Sequence, residues 1–292
     1  MTIPTSERPA LINVAYRLLG SLADAEDAVQ EAYARWYALT PHQRDAIAAP
    51  AAWLTTVVGR ICLDVLGSAR VRRERYVGEW IPEPLPDPAE WIGGTDPADR
   101  VTLDESVTMA FLVVLDAMTP AERVAFVLHD VFRYPFADVA EIVGRTPAAC
   151  RQLASSARRR VRTAQTPATP SVEQAGVVKQ FKAAWEAKDI NALVGLLTPD
   201  ATAVGDGGGR AHAVLRPIEG AGEIAGFFAG RATSGLTFLE RTVNGQPGLV
   251  VLADDVPVAV LAFDVVGDRI RHIWAVLNPE KLRPWTAGTT PR

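Results

Sequence analysis

The strongest constraint on this fold lies between Phe136 and Arg162, FADVAEIVGRTPAACRQLASSARRRVR, which reads as a helix, a tight turn and a second helix. Val139, Ala140, Ile142 and Val143 supply the buried face of the first helix. Gly144 ends it, because a glycine just past a helix C-terminus takes the left-handed conformation at little cost. Thr146 offers the next N-cap, and Pro147 fits the first helical position. On the second helix Cys150, Leu153/Ala154, Ala157 and Val161 share one face at helical spacing. Arg151, Gln152, Ser155, Arg158, Arg159 and Arg162 share the other. Residues 145–162 hold six Arg and no acid. A helix-turn-helix places such a helix in the major groove of DNA, with its early residues on base edges and Arg on phosphates. The plainer alternative is a solvated Arg-rich face on an ordinary helix pair, so the neighbouring sequence has to decide.

At 292 residues the chain has room for two or three domains. A net charge of −4 excludes a generally basic nucleic-acid coat, so DNA contact must come from local patches. Cys62 and Cys150 lie far apart and form no metal-ligand spacing. The N-terminus MTIPTSERPA lacks the apolar core of a signal peptide, and no apolar run approaches membrane-spanning length. These features predict a cytoplasmic, reduced protein that does not engage membranes. Cys150 is a candidate oxidant sensor, although a small core residue is the commoner role of such a thiol.

Two helices are expected over residues 8–37, broken at Gly20-Ser21. In the second, Asp24, Glu26, Asp27 and Glu31 form an acidic face opposite Ala28, Val29, Ala32 and Trp36. That face is either ordinary solvated surface or a dock for a basic partner. Thr40-Pro41-His42-Gln43 starts a third helix with a capping box. Pro50 starts a longer one whose end, residues 60–75, holds five Arg against Asp64 and Glu74. Residues 77–105 then break the helical pattern with repeated Pro and carry eight acids against Arg100. They read as an extended linker, part of which packs on something, since Trp80 and Trp91 gain by burial. Helices resume over 101–117. Thr119-Pro120-Ala121-Glu122 caps a helix from Arg123 to Phe132, and residues 101–162 make a four-helix unit.

TAQTPATPS, residues 163–171, is a second boundary, and all four Lys lie beyond it. Helices are expected at Val172–Lys188, Ile190–Leu197 and Glu223–Ala232. Strands are expected at Ala201–Val204, Ala211–Pro217, Thr237–Val243, Gly248–Leu252, Val256–Val265 and Ile270–Leu277. Turns fall at Asn244-Gly245, Ala253-Asp254-Asp255 and Gly267-Asp268. Helices followed by a curved antiparallel sheet make an α+β domain, plausible as a cone with an interior pocket.

With these parts in order, the chain resembles the extracytoplasmic-function (ECF) RNA polymerase sigma factors, and within them the subgroup with a fused C-terminal SnoaL-like (NTF2-like) domain. YRLLGSLADAEDAVQEAYARWY resembles sigma region 2.1–2.2, and PAAWLTTVVGRICLDVLGSARVRRER regions 2.3–2.4. MTPAERVAFVLHDVFRYPFADVAEIVGRTPAACRQLASSARRRV resembles region 4. WIPEP at Trp80–Pro84, DGGGR at Asp206–Arg210 and NPEKL at Asn278–Leu282 resemble subgroup signatures, with Ile81, Arg210 and Glu280 where Leu, Lys and Asp are expected. The implied organisation is two all-α sigma domains followed by the α+β cone: region 2 at 1–77, an acidic linker at 78–100, region 4 at 101–163, a linker at 164–171 and the SnoaL-like domain at 172–292.

The resemblance implies roles. Asp24, Asp27, Gln30 and Glu31 would dock on the β′ clamp helices of core RNA polymerase, with the β subunit a further partner. Arg60, Asp64, Arg70, Arg72 and Arg73 would meet the −10 element, where an unstacked base is captured and the single strand tracked. Arg145, Thr146, Ala148, Arg151, Gln152 and Ser155 would read the −35 element, with Arg158 and Arg159 on phosphates. Trp80, Pro82 and Glu83 of the linker would meet Asp206, Gly207, Gly208, Gly209 and Arg210 together with Asn278, Pro279, Lys281 and Leu282, so that the C-terminal domain controls the factor in cis. No catalytic residue, metal or cofactor is implied, and the free protein is expected to be monomeric.

Two alternatives use the same residues. NTF2-like folds host enzymes, and His212 and His272 with Asp200, Asp206 or Asp264 could form an acid/base pair. No Tyr follows Tyr134, however, so a Tyr/Asp oxyanion site cannot be built there. A pocket lined by Trp185, Phe227, Phe228, Phe263 and Trp274 could take a small ligand or be ordinary core. A small-molecule sensor or enzyme fused to a DNA-binding repressor would leave the acidic helix and the second basic patch unexplained.

Overall fold

A computed structural model describes residues 7–73, 76–87, 107–164, 169–211, 213–231 and 235–286, with side chains of 69–73 outside that set. The chain divides into two compact units: Met1–Glu74, Thr95–Thr102 and Phe111–Ala164 in the first, Arg75–Gly94, Leu103–Ala110 and Gln165–Arg292 in the second.

In the first unit, α1 (Arg8–Leu19), α2 (Leu22–Ala38), α3 (Pro41–Asp45) and α4 (Pro50–Arg73) are followed by α5 (Met109–Asp116, in this unit from Phe111), α6 (Pro120–Phe126), α7 (Phe136–Val143) and α8 (Pro147–Ala164). Local chemistry sets the ends. Gly20 closes α1 at φ 71°, and Ser21 Oγ accepts the Asp24 N–H at the start of α2. Thr40 with Gln43 and Thr119 with Glu122 form reciprocal capping boxes. Ile12, Tyr16, Leu18, Trp36, Leu54, Leu115 and Leu128 are fully buried. The stretch Pro50–Ser68 of α4 is long and apolar enough to span a membrane, which corrects the expectation that no run approaches that length. Here its apolar residues Leu54, Val57, Val58, Ile61, Cys62 and Leu66 are spent on the core.

The helix expected over Arg123–Phe132 changes character partway. Val127–Val131 is a π-turn, and Arg133 follows at φ 64°. The wider turn lets His129 Nδ1 meet the Tyr134 carbonyl at 2.8 Å while its ring stacks on Phe136, centroids 3.7 Å apart.

The second unit contains α9 (Ser171–Glu186), α10 (Ile190–Gly195), α11 (Ala221–Arg231), α12 (Arg283–Thr286) and six strands: β1 (Leu197–Asp206), β2 (Ile218–Glu219), β3 (Leu236–Val243), β4 (Gln246–Ala253), β5 (Val256–Val266) and β6 (Arg269–Val276). They form one sheet in the order β2-β1-β6-β5-β4-β3. The sheet is mixed rather than wholly antiparallel, because β1 and β6 pair in parallel. β1 enters the sheet before α11, and the meander β3 to β6 returns beside it. Strand direction in such a long-range pair has no signature in local sequence. The turns Asn244-Gly245 and Asp254-Asp255 have positive φ at both residues, as tight hairpins require. Register shifts in β4–β5 and β5–β6 bend the sheet. Its interior is filled by Phe181, Trp185, Phe228, Phe238 and Phe263 in edge-to-face or tilted contact.

Among its described residues the strand expected at Ala211–Pro217 does not form, and the antiparallel partner of β1 is the short Ile218–Glu219. The glycines ahead of it close a turn, with Arg210 and Ala211 both donating to the Gly207 carbonyl at 3.0 Å.

Candidate nucleic-acid interface and linker clasp

The helix-turn-helix forms as its residues dictate. Gly144 takes φ 67°, its N–H and that of Arg145 return to the Ala140 carbonyl, and Thr146 Oγ1 accepts the Ala149 N–H at 3.2 Å. Cys150, Ala154, Ala157 and Val161 are buried. Arg145, Thr146, Ala148, Arg151, Gln152, Ser155, Arg158 and Arg159, the residues expected at the −35 element, are all exposed. Among the described residues Arg145, Arg151, Arg159 and Arg162 have no acidic partner, and Arg151 lies over the Phe136 ring at 5.6 Å. Arg158 is 3.4 Å from Asp130, and Arg160 is 4.0 Å from Glu122. Burial opposes ionisation of Glu122, but hydrogen bonds from Ser156 and Thr119 and the charge of Arg160 hold its carboxyl below the usual range. Cys150 and Cys62 are buried, and burial pushes both thiols up, against a sensing role.

Asp24, Asp27, Gln30 and Glu31 lie exposed on α2, with Glu31 paired to Arg35 at 2.9 Å. Arg60 and Asp64 are exposed on α4. Arg60 is nonetheless engaged, donating to the Glu141 carbonyl of α7 at 3.1 Å. Nearby, Thr55 Oγ1 and the Tyr134 hydroxyl share a 2.9 Å hydrogen bond. Gly59 makes room for Ile142, whose Cγ2 would stand 2.9 Å from an added Cβ. The side chains of Arg70, Arg72 and Arg73 lie outside the described residues, as do His212 and Trp91.

The second site is a clasp within the second unit. The Asp206 carboxylate is fully buried and accepts from the Tyr76 hydroxyl at 2.7 Å, the Ile81 N–H at 3.0 Å and Lys281 Nζ at 2.7 Å. Lys281 Nζ also donates to the Ile81 carbonyl and lies 4.1 Å from the centroid of Trp80. Asn278 Nδ2 donates to the Tyr76 hydroxyl at 2.9 Å, while the Leu277 and Asn278 N–H groups both bond the Asp206 carbonyl. Burial, then the bond to Asp206 and its charge, raises the Tyr76 phenol above its ordinary pKa. Thus Trp80, Asp206, Asn278 and Lys281, named from three separate motifs, meet.

The remaining motif residues divide by burial. Pro82, Glu83, Gly207 and Leu282 are buried, whereas Gly209, Arg210 and Pro279 are exposed. Gly208 sits at φ 60°, where an added Cβ would collide with the Asn278 side chain. Gly209 abuts Val77, and Arg210 pairs with Glu280 at 3.0 Å in solvent, a contact of small energetic weight. Sequence reasoning missed Tyr76, Asn244 and Trp285. Leu85 N–H donates to Asn244 Oδ1, Asn244 N–H returns to the Leu85 carbonyl, and Trp285 Nε1 donates to the Pro84 carbonyl at 2.8 Å. The Asn244-Gly245 turn had suggested only a hairpin.

The acid/base pair imagined for an enzyme does not assemble at the cavity. His272 Nδ1 meets Thr202 Oγ1 at 2.6 Å and its Nε2 lies 4.0 Å from Asp264. None of His272, Asp264, Asp200 and Asp206 lines the apolar cavity, which is bounded by Trp185, Phe227 and Phe228 but not by Phe263 or Trp274.

Residues 5–75 match Sigma-70 region 2, and residues 108–161 match Sigma-70, region 4. The chain is 42% identical over 291 residues to ECF RNA polymerase sigma factor SigJ of Mycobacterium tuberculosis, covering 94% of this chain and 90% of that protein. It is 33% identical over 290 residues to the probable ECF RNA polymerase sigma factor SigI of the same species, covering 97% and 94%. The crystal structure of M. tuberculosis SigJ aligns with a TM-score of 0.75 at 37% identity, over 96% of this chain and 97% of that one. With both sigma regions in order and a relative of this similarity along nearly its whole length, the chain belongs to the ECF RNA polymerase sigma factors.

Proposed function

We propose that this sigma factor is restrained by its own C-terminal domain, which grips the segment between region 2 and region 4 through the Asp206–Lys281 clasp. Family membership implies core RNA polymerase and promoter DNA as partners. In this reading Asp24, Asp27, Gln30 and Glu31 dock on the β′ clamp helices. Arg60, Asp64, Arg70, Arg72 and Arg73 meet the −10 element, and the exposed face of α8 reads the −35 element. The factor works in the cytoplasm, is monomeric when free and catalyses no reaction. We read the domains as region 2 at 1–77, a linker at 78–100, region 4 at 101–163, a linker at 164–171 and the C-terminal domain at 172–292.

The observation that carries the reading is the buried carboxylate of Asp206, which holds Tyr76, Ile81 and Lys281 at once. A segment pinned to a folded domain cannot extend freely between two promoter elements. Release of the clasp therefore raises initiation. The Arg60–Glu141 bond adds a second restraint, since it occupies a side chain needed at the −10 element. Run-off transcription with core polymerase tests this, comparing the full chain with chains ending at Asn278 and at Thr166. The chain ending at Asn278 lacks Lys281 and should initiate more than the full chain; equal yields would end the reading. We also read the apolar cavity of the second unit as a site for a small ligand.

A further inference from the structure

The interior of the second unit contains a cavity of about 350 Å³ between α9, α11 and the sheet. Packed cores leave few voids larger than a water molecule, whereas cavities of roughly 300–1,000 Å³ are the size that holds small ligands. Its wall is apolar: Ala203, Phe227, Phe228, Val251, Leu261 and Leu277 are typical of it. Such a wall holds water poorly. Among the described residues, the polar side chains that reach the wall are Trp185 and Arg231. Both are hydrogen-bond donors with no acceptor capacity.

Neither donor has a hydrogen-bond partner among the described residues. Trp185 is 5% exposed, and its Nε1–H has no hydrogen-bond partner among the described residues. That nitrogen is closed to the cavity as well as to solvent, so Arg231 is the donor that a bound molecule can reach. Arg231 is exposed, with its guanidinium 3.8 Å from the Phe227 ring centroid and no carboxylate partner among the described residues. Among the described residues the site therefore offers an apolar, body-sized space with one reachable side-chain donor, a fixed positive charge. A cation or a polyhydroxylated molecule would find no side-chain acceptor among those residues.

We infer that the cavity binds a medium-chain carboxylate, its hydrocarbon in the apolar space and its carboxylate held by Arg231. This deepens, and rests on, the ligand-binding part of the proposed function. The position has a consequence for control. Gly205 and Leu277 line the cavity, and the next residues in sequence, Asp206 and Asn278, belong to the clasp.

Isothermal titration of the full chain with decanoate and with 1-decanol, both below their aggregation thresholds, tests the inference. Decanoate should bind at one site and at least tenfold more tightly than decanol. Arg231→Gln should weaken decanoate about tenfold, the scale of one lost charged hydrogen bond, and leave decanol within twofold. Val258→Trp, at a half-open position of the cavity wall, should weaken both ligands. No binding of either ligand, or equal affinity for both, would overturn it. Promoter-directed transcription by the same preparation reports the sigma activity separately, so failure of one reading is not mistaken for failure of the other.

Discussion

Lys281 Nζ stands 2.7 Å from Asp206 Oδ2, with both side chains withdrawn from solvent, and the same ammonium reaches the backbone of Ile81. The pair joins residues 75 positions apart in sequence to a linker segment 200 positions from Lys281. A buried charge pair contributes little net stability against an apolar substitute, but breaking it by removing one partner costs about 3–5 kcal/mol.

Asp206→Asn should therefore release the linker. The Asn amide cannot neutralise Lys281, and it weakens acceptance from the Tyr76 hydroxyl and the Ile81 N–H. Native-state hydrogen exchange should show protection of the Ile81 and Leu85 amides falling at least tenfold, with the interior amides of β4 and β5 retained. Unchanged protection at Ile81 would mean that the carboxylate does not hold the segment.

On the exposed face of α8, Arg159 and Gln152 should behave differently. Arg159→Ala removes one phosphate-directed charge and should reduce the slope of log affinity against log salt by about 0.9, equally on all sequences. Four such Arg together correspond to a slope of roughly −3.6. Gln152→Ala should leave the slope unchanged and relax preference at one base pair of the −35 element. Titrations of region 4 duplexes at several salt concentrations separate the two.

His272 should make the second unit sensitive to acid. Burial lowers its pKa, only partly offset by Asp264. The unfolded chain then binds the proton more tightly than the folded one. Stability is fully present above the unfolded value of about 6.5 and falls as pH drops through the folded value. Because the ring is partly exposed, the effect should be modest. Denaturant midpoints of the wild type should decline between pH 7 and 5 more steeply than those of His272→Gln. Parallel declines would remove His272 as the cause.

Cys62 and Cys150 should resist alkylation in the native state, since both are buried and their thiols are held protonated. Mass spectrometry after iodoacetamide at neutral pH should find both unmodified until denaturant is added. Rapid native labelling of Cys150 would restore the oxidant-sensing role.

Much of this architecture was legible in local sequence. Gly144 and Thr146 mark the turn of the DNA-reading motif because cap and left-handed positions accept few residue types. The acidic face of α2 and the Arg face of α8 follow from helical periodicity. The clasp was legible only in outline: resemblance named Asp206, Asn278 and Lys281, but nothing local to Tyr76, Asn244 or Trp285 announces a partner more than a hundred residues away. The parallel pairing of β1 with β6 and the absent strand at 211–217 have the same origin, since both depend on long-range placement. The π-turn at Val127–Val131 stands where an α-helix was expected, and the stacking it permits between His129 and Phe136 is a tertiary contact that helical periodicity does not announce.

The most direct test is run-off transcription with core RNA polymerase on a cognate promoter, comparing the wild-type chain with Lys281→Met at equal concentration. Both should yield core-dependent transcript, and the variant should yield several-fold more, because the linker is no longer gripped. Equal yields would contradict restraint through the clasp, and no core-dependent transcript from either protein would contradict the promoter-directing role itself.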